Sequence, residues 1–135
     1  MIKEIGLTGN FKEKTNEFIK NFEFNPTILY ISRNELTSFK PLEKFKFKRL
    51  TQFWSTDNKI KNLNELLYLN SKTVKLINLK NNLITNIDNI EKIVEHFPKL
   101  EKLILTNRYI DKKYFKEKID QIKAKNKNFH LEIIY

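Results

Sequence analysis

The feature that most constrains this chain is a recurrence every 24 residues. Around Asn82 the apolar residues fall at fixed offsets: Val74, Ile77 and Leu79 before it, Ile84 and Ile87 after it. One period upstream, Asn58 is framed in the same way by Leu50, Phe53, Ser55, Ile60 and Leu63. Another period back, Asn34 has Pro26, Leu29, Ile31, Leu36 and Phe39, and one more gives Asn10 with Ile2, Ile5 and Leu7. Downstream, Leu100, Leu103, Leu105 and Ile110 keep the pattern, with Arg108 in the asparagine slot. Asparagine fills 17 of 135 positions, so four in one chosen phase would arise by chance about once in 4,000. The accompanying apolar slots make coincidence negligible. Such a period marks stacked units, none of which can bury its apolar side alone.

These residues resemble the leucine-rich repeat family, whose pattern is L-x-x-L-x-L-x-x-N-x-L. The resemblance runs from residue 2 to about residue 110, with repeats starting near 2, 26, 50, 74 and 100 and a C-terminal cap over 111–135. Its departures are Pro26 and Ser55 in apolar slots, Lys12 behind the first asparagine, and Arg108. It implies an α/β fold: a single-domain solenoid of about five coils, a parallel sheet on the concave face, helices on the convex face, then a C-terminal helix and a closing strand. It also implies one short strand per coil, near 76–79 in the fourth, followed by a sharp inward turn.

Such a turn leaves backbone N–H and C=O groups buried without a strand partner, which is costly. Asparagine carries an acceptor and donors on a short side chain. Asn10, Asn34, Asn58 and Asn82 are therefore expected to be buried as a ladder bonded to backbone. The returns between strands read as helices at 13–22, 62–69 (Leu63, Leu66 and Leu67 facing in) and 86–97. Residues 37–49 are the exception, because Pro41 forces an irregular return or a helix starting after it. A longer helix is expected over 111–125, capped by Asp111, with Phe115, Ile119 and Ile122 facing in. The final strand should turn Leu131 and Ile133 inward.

Length and composition bound the rest. A chain of 135 residues that is 40% hydrophobic can bury one continuous core. The start lacks the basic-then-apolar pattern of a secretory signal, and no run nears the ~20 apolar residues of a membrane helix. Without cysteine, disulfides and thiolate metal sites are excluded. An intracellular, cytoplasmic protein is expected. The net charge of +10 comes from 26 basic and 16 acidic residues, but only Arg33, Arg49 and Arg108 are arginine. Nucleic-acid readers lean on arginine for bidentate contacts, so lysine excess reads first as compositional.

Reactive groups are sparse. His96 and His130 lie in unrelated segments, with His96 read as a satisfied or solvent-facing side chain. No H-x-x-x-H, G-x-S-x-G or P-loop pattern occurs, and the aspartates show no metal spacing. Gly6 and Gly9 belong to the first repeat's turn. No cofactor, metal, catalytic residue or small-molecule substrate is expected.

A binding surface is better marked. Strand positions not used by the core should face outward on the concave side. This places Gln52, then Tyr30, Trp54, Asn78 and Ile104, then Ser32, Thr56 and Lys80, then Arg33, Asp57 and Asn81. Ile28 and Leu76 add apolar area. Aromatic residues with arginine inside a polar surround are the composition of a protein-binding hot spot. The plainer alternative is that Trp54 lies folded along the sheet, covering its neighbours. A second patch comprises Lys40, Lys44, Lys46, Lys48 and Arg49, interleaved with Phe45 and Phe47. Such interleaving can hold single-stranded nucleic acid, although Phe39, Leu42 and Phe45 read more simply as core. The expected function is therefore a non-enzymatic module that binds a protein, for which the basic charge would suit an acidic partner, as adaptor or stoichiometric inhibitor, for example a toxin-neutralising immunity protein. The alternative is a ribonucleoprotein component using its lysine-rich surface. The sequence leaves open whether the chain acts alone or within a hetero-complex.

Overall fold

The computed structural model describes residues 4–6, 25–106, 110–125 and 129–134. Asn10, the helix expected at 13–22, Arg108 and the side chains of Leu131 and Ile133 lie outside the described residues.

The chain forms an α/β fold around one parallel sheet. Its strands are β1 (Glu4–Gly6), β2 (Ile28–Tyr30), β3 (Gln52–Trp54), β4 (Leu76–Leu79), β5 (Lys102–Thr106) and β6 (His130–Ile134). They lie side by side in chain order, and every neighbouring pair is parallel. The register repeats the sequence period: Glu4 pairs with Ile28, Ile28 with Gln52 and Gln52 with Leu76. The step then lengthens, with Leu76 opposite Lys102 and Lys102 opposite His130.

The strands are short because only one inward side chain per strand serves the core in β2 and β3. Leu29, Phe53, Ile77 and Leu103 hold that slot and are fully buried. The slots flanking it are buried too: Leu50, Val74 and Leu100 before the strand, Leu36, Ile60, Ile84 and Ile110 after the turn. Ser55, the polar departure, is also fully buried, and its hydroxyl accepts from the Asn58 amide at 2.8 Å. Phe39 and Phe53 meet edge-on, with ring centroids 5.2 Å apart, and link neighbouring coils through the core. Offset and edge-on rings are the favoured aromatic geometries.

The 62–69 return differs from the helix expected of it. Residues Leu63–Tyr68 form a 3-10 helix, not an α-helix. Asn62 caps it, accepting from the Asn64 amide at 2.9 Å. Its buried side chains are therefore Leu63, Leu66 and Leu69, three apart, and Leu67 is turned out to 36% exposure. A 3-10 helix has three residues per turn and a longer rise, so it covers the return with fewer residues. Residues Lys40–Leu42 form a second 3-10 turn that contains Pro41 rather than starting after it. Proline fits there because the first-turn N–H has no helical partner to lose. The Glu65 carboxylate reaches back to this turn, accepting from the Ser38 hydroxyl at 2.8 Å and the Phe39 amide at 3.3 Å.

Among the described residues, the later returns are α-helical: α1 (Ile90–His96) and α2 (Lys112–Lys125). Asp111 caps α2, taking the Tyr114 amide at 2.9 Å. Ile122 is buried under it, with Phe115 and Ile119 half-buried against the same core. Tyr114 donates its hydroxyl to Asp88, tying α2 to the preceding return. Burial and the Asp88 carboxylate together push the phenol up from 10.0 to about 12. Among the described residues, no helix is long and apolar enough to cross a membrane.

Candidate functional site: the open sheet face and its asparagine-supported rim

Alternation along β3 turns Phe53 into the core and Gln52 and Trp54 to the opposite face. Register places Tyr30 beside Trp54. Their ring centroids lie 5.7 Å apart at an interplanar angle of 41°. The indole N–H donates to the Gln52 side-chain oxygen at 3.0 Å. Trp54 thus lies against its neighbours, with its polar group already satisfied, and it remains half-buried rather than sealed. The two rings, with half-buried Ile28 and Leu76, form a pre-set aromatic platform.

The next two positions in the same row are covered. Asn78 and Ile104 were expected to face outward, yet they are only 5% and 8% exposed. Trp54, Asn78 and Ile104 stand opposite one another in register, a strand spacing of ~4.8 Å apart, so large side chains on either side shade the smaller one. The Asn78 oxygen turns onto its own strand end, accepting the Lys80 amide at 3.0 Å. Asn78 is therefore part of the wall, not an exposed contact.

Beyond the strands the ladder continues into a polar rim. Ile31, Arg33, Ser55 and Asp57 donate their amides to Trp54, Thr56, Asn78 and Lys80 carbonyls at 2.9–3.1 Å. The Thr56 hydroxyl donates to Ser32 at 2.8 Å. Arg33, Asp57 and Asn81 occupy equivalent positions and all have positive φ, 56°, 56° and 59°. Left-handed backbone is what swings the chain from the strand into the asparagine turn, and it is costly for an arginine. The same turn aligns the three side chains. Asn81 donates to Asp57 at 2.9 Å, and Arg33 lies 3.9 Å from Asp57. Farther along the sheet, Lys102 and Glu132 pair at 2.8 Å across β5 and β6. That lysine's hydrogen bond and charge hold the Glu132 carboxyl below its ordinary range. With these pairs formed, Lys80 is the cation of the rim without a carboxylate partner among the described residues. Among the described residues, Arg33, Lys80 and Lys102 face Asp57 and Glu132, so this face is nearly neutral.

The asparagines underlie this rim. Asn58 is 5% exposed. Its amide donates to the Ile31 carbonyl at 3.0 Å, the Ser55 hydroxyl at 2.8 Å and the Thr56 carbonyl at 3.3 Å. Its oxygen accepts the Asn34 and Leu36 amides at 2.9 and 3.1 Å. Asn82 repeats the arrangement one coil on: it donates to Ser55 and Leu79 carbonyls at 2.8 and 3.0 Å and accepts the Ile60 amide at 3.0 Å. Asn34 donates to Ile31 and Ser32 carbonyls at 2.8 and 3.0 Å. Asn34 and Asn82 are half-buried rather than buried. Asn58 alone of the three has a described rung on both sides.

On the opposite side, the basic patch is divided. Lys40, Lys44, Lys46, Lys48 and Arg49 are all exposed, while Phe45 and Phe47 are buried to 9% and 1%. Neither ring is available to stack on a base. Lys46 bridges to Asn70 in parallel register, and the Phe47 amide donates to the Asn70 carbonyl at 2.9 Å. This brings Lys46 and Lys48 beside Lys72, which the sequence reading passed over. The signal was present, since Lys72 stands one period after Lys48.

No family model, curated protein or solved structure matches this chain.

Proposed function

We propose that the chain is a small leucine-rich-repeat solenoid of about five coils that binds a protein on its open sheet face, without catalysis. The Tyr30–Trp54 platform is the single observation that carries this reading. Half-exposed aromatic rings, already stacked and with the indole N–H satisfied, cost little ordering entropy when covered. Around them Gln52, Ser32, Thr56, Arg33 and Asp57 form a hydrogen-bonding margin of the kind that surrounds binding anchors. A near-neutral face favours a partner recognised by shape and apolar contact over one recognised by charge. The role is that of an adaptor or of a stoichiometric inhibitor, such as an immunity protein that neutralises a toxin.

The test is affinity capture with the full chain, followed by titration of the recovered partner against wild type and Trp54→Ala. Truncating the indole should weaken binding by ~2 kcal/mol or more, about thirty-fold, with the fold intact. Unchanged affinity would remove this face from consideration. Capture that vanishes on nuclease treatment would instead favour the ribonucleoprotein reading.

A further inference from the structure

The position just before the ladder slot holds Gly9, Arg33, Asp57, Asn81 and Asn107. Of these, Arg33, Asp57 and Asn81 are described, and all three are left-handed, with φ of 56°, 56° and 59°. Glycine, aspartate and asparagine tolerate such backbone; arginine, with no short polar group to bond locally, resists it. Arg33 is thus the one member of the slot whose residue type its backbone disfavours. Its ion pair does not offset this. The side chain is 77% exposed and meets Asp57 through Nε at 3.9 Å. An exposed pair of that kind contributes little. Asp57 also accepts from Asn81 on its other oxygen, at 2.9 Å. The two terminal guanidinium nitrogens have no acceptor among the described residues, so they stand as a planar fork of donors.

Backbone held in a costly conformation points to a side chain that is needed there. We infer, on the protein-binding reading of the sheet face, that Arg33 is its specificity contact and takes a side-chain carboxylate of the partner in a bidentate pair. Arg33 follows Tyr30 by three residues, on the rim of the Tyr30–Trp54 platform. A guanidinium fork matches carboxylate and phosphate alike. Asp57 decides between them, because its charge lies 3.9 Å from the same group and repels a doubly charged phosphate more than a carboxylate. One carboxylate within a contact otherwise made by shape also suits a face that is nearly neutral.

The experiment selects random displayed peptides on the full chain and keeps those whose binding Trp54→Ala weakens. Labelled copies are titrated by fluorescence anisotropy. These peptides should carry a glutamate or aspartate, and exchanging it for the matching amide should weaken binding to the wild type at least ~10-fold. Arg33→Asn should weaken the parent peptide equally. On that variant the amide exchange should change nothing further, which is the mark of a direct pair. Arg33→Lys, which keeps the charge without the fork, should restore only part of the affinity. Urea unfolding separates these effects from damage, since Arg33→Asn should be at least as stable as the wild type. Selected peptides without a carboxylate, additive effects of the two changes, or full affinity in Arg33→Lys overturn the inference and leave the sheet-face reading standing. A phosphoserine in place of the acidic residue that binds more tightly through Arg33 assigns the fork to phosphate and overturns it equally. If no selected peptide depends on Trp54, the sheet-face reading falls, and with it this role of Arg33.

Discussion

Replacing Asn58 with alanine is the most direct test of the asparagine ladder. The substitution removes one oxygen that accepts two amides, those of Asn34 and Leu36, and one nitrogen that serves the Ile31 carbonyl. The Leu36 side chain is 2% exposed and Asn58 itself 5%, so these groups have poor access to water. A buried donor or acceptor left unpaired costs ~1–3 kcal/mol. Two orphaned amides and a carbonyl, with one water admitted to replace part of the side chain, give a loss of ~3 kcal/mol. With a urea slope of ~2 kcal/mol per molar, the midpoint should fall by ~1.5 M. Asn82→Ala should cost less, because Asn82 is half-buried and its oxygen takes one described amide, from Ile60. Urea unfolding followed by tryptophan fluorescence and circular dichroism reads both. A shift below ~0.3 M for Asn58→Ala at unchanged slope would show that the ladder does not support the turns.

Further outcomes follow from the returns and the rim. Leu66→Ala should cost ~2–5 kcal/mol and Leu67→Ala less than ~0.5 kcal/mol in the same assay, because the three-residue period buries the first and exposes the second; equal losses would restore an α-helical return. Arg33→Asn should stabilise by ~0.5–1 kcal/mol, since asparagine tolerates the left-handed backbone that arginine resists and the exposed pair with Asp57 contributes little. A destabilised variant would show that the Arg33 side chain matters more than its backbone. In ultraviolet titration of the phenols, one tyrosine should ionise near pH 12, and Tyr114→Phe should delete that step. Because the folded value is raised, the Tyr114–Asp88 contact stabilises fully below pH 10.0 and is lost as the pH climbs through about 12.

The 24-residue phase carried most of what could be read in advance, because each slot answers to one physical demand. Leu29, Phe53 and Ile77 are inward strand positions, and their common phase is the strand register itself. Ser55 and Pro26 broke the apolar pattern but not the burial, since a serine hydroxyl can be satisfied by the asparagine below it. The 62–69 return was misread because Leu63, Leu66 and Leu67 fit a 3.6-residue period as well as Leu63, Leu66 and Leu69 fit a period of three. Burial of Asn78 was not legible either. Alternation says which face a residue occupies, whereas shading comes from neighbours 24 and 26 residues away. The lysine cluster on the return side was half legible: Lys46 and Lys48 lay in the basic run, but their companion Lys72 belongs to the next unit.

Asn58 and Asn82 each fasten to the unit before their own: Asn58 to Ile31, Asn34 and Leu36, and Asn82 to Ser55 and Ile60. These units therefore overlap like roof tiles, each pinned down by the tile laid after it. Trimming tiles from the far end would unroof the buried corner beneath, whereas lifting them from the near end would leave the corner of the remaining tile covered and free the asparagine's side chain to water.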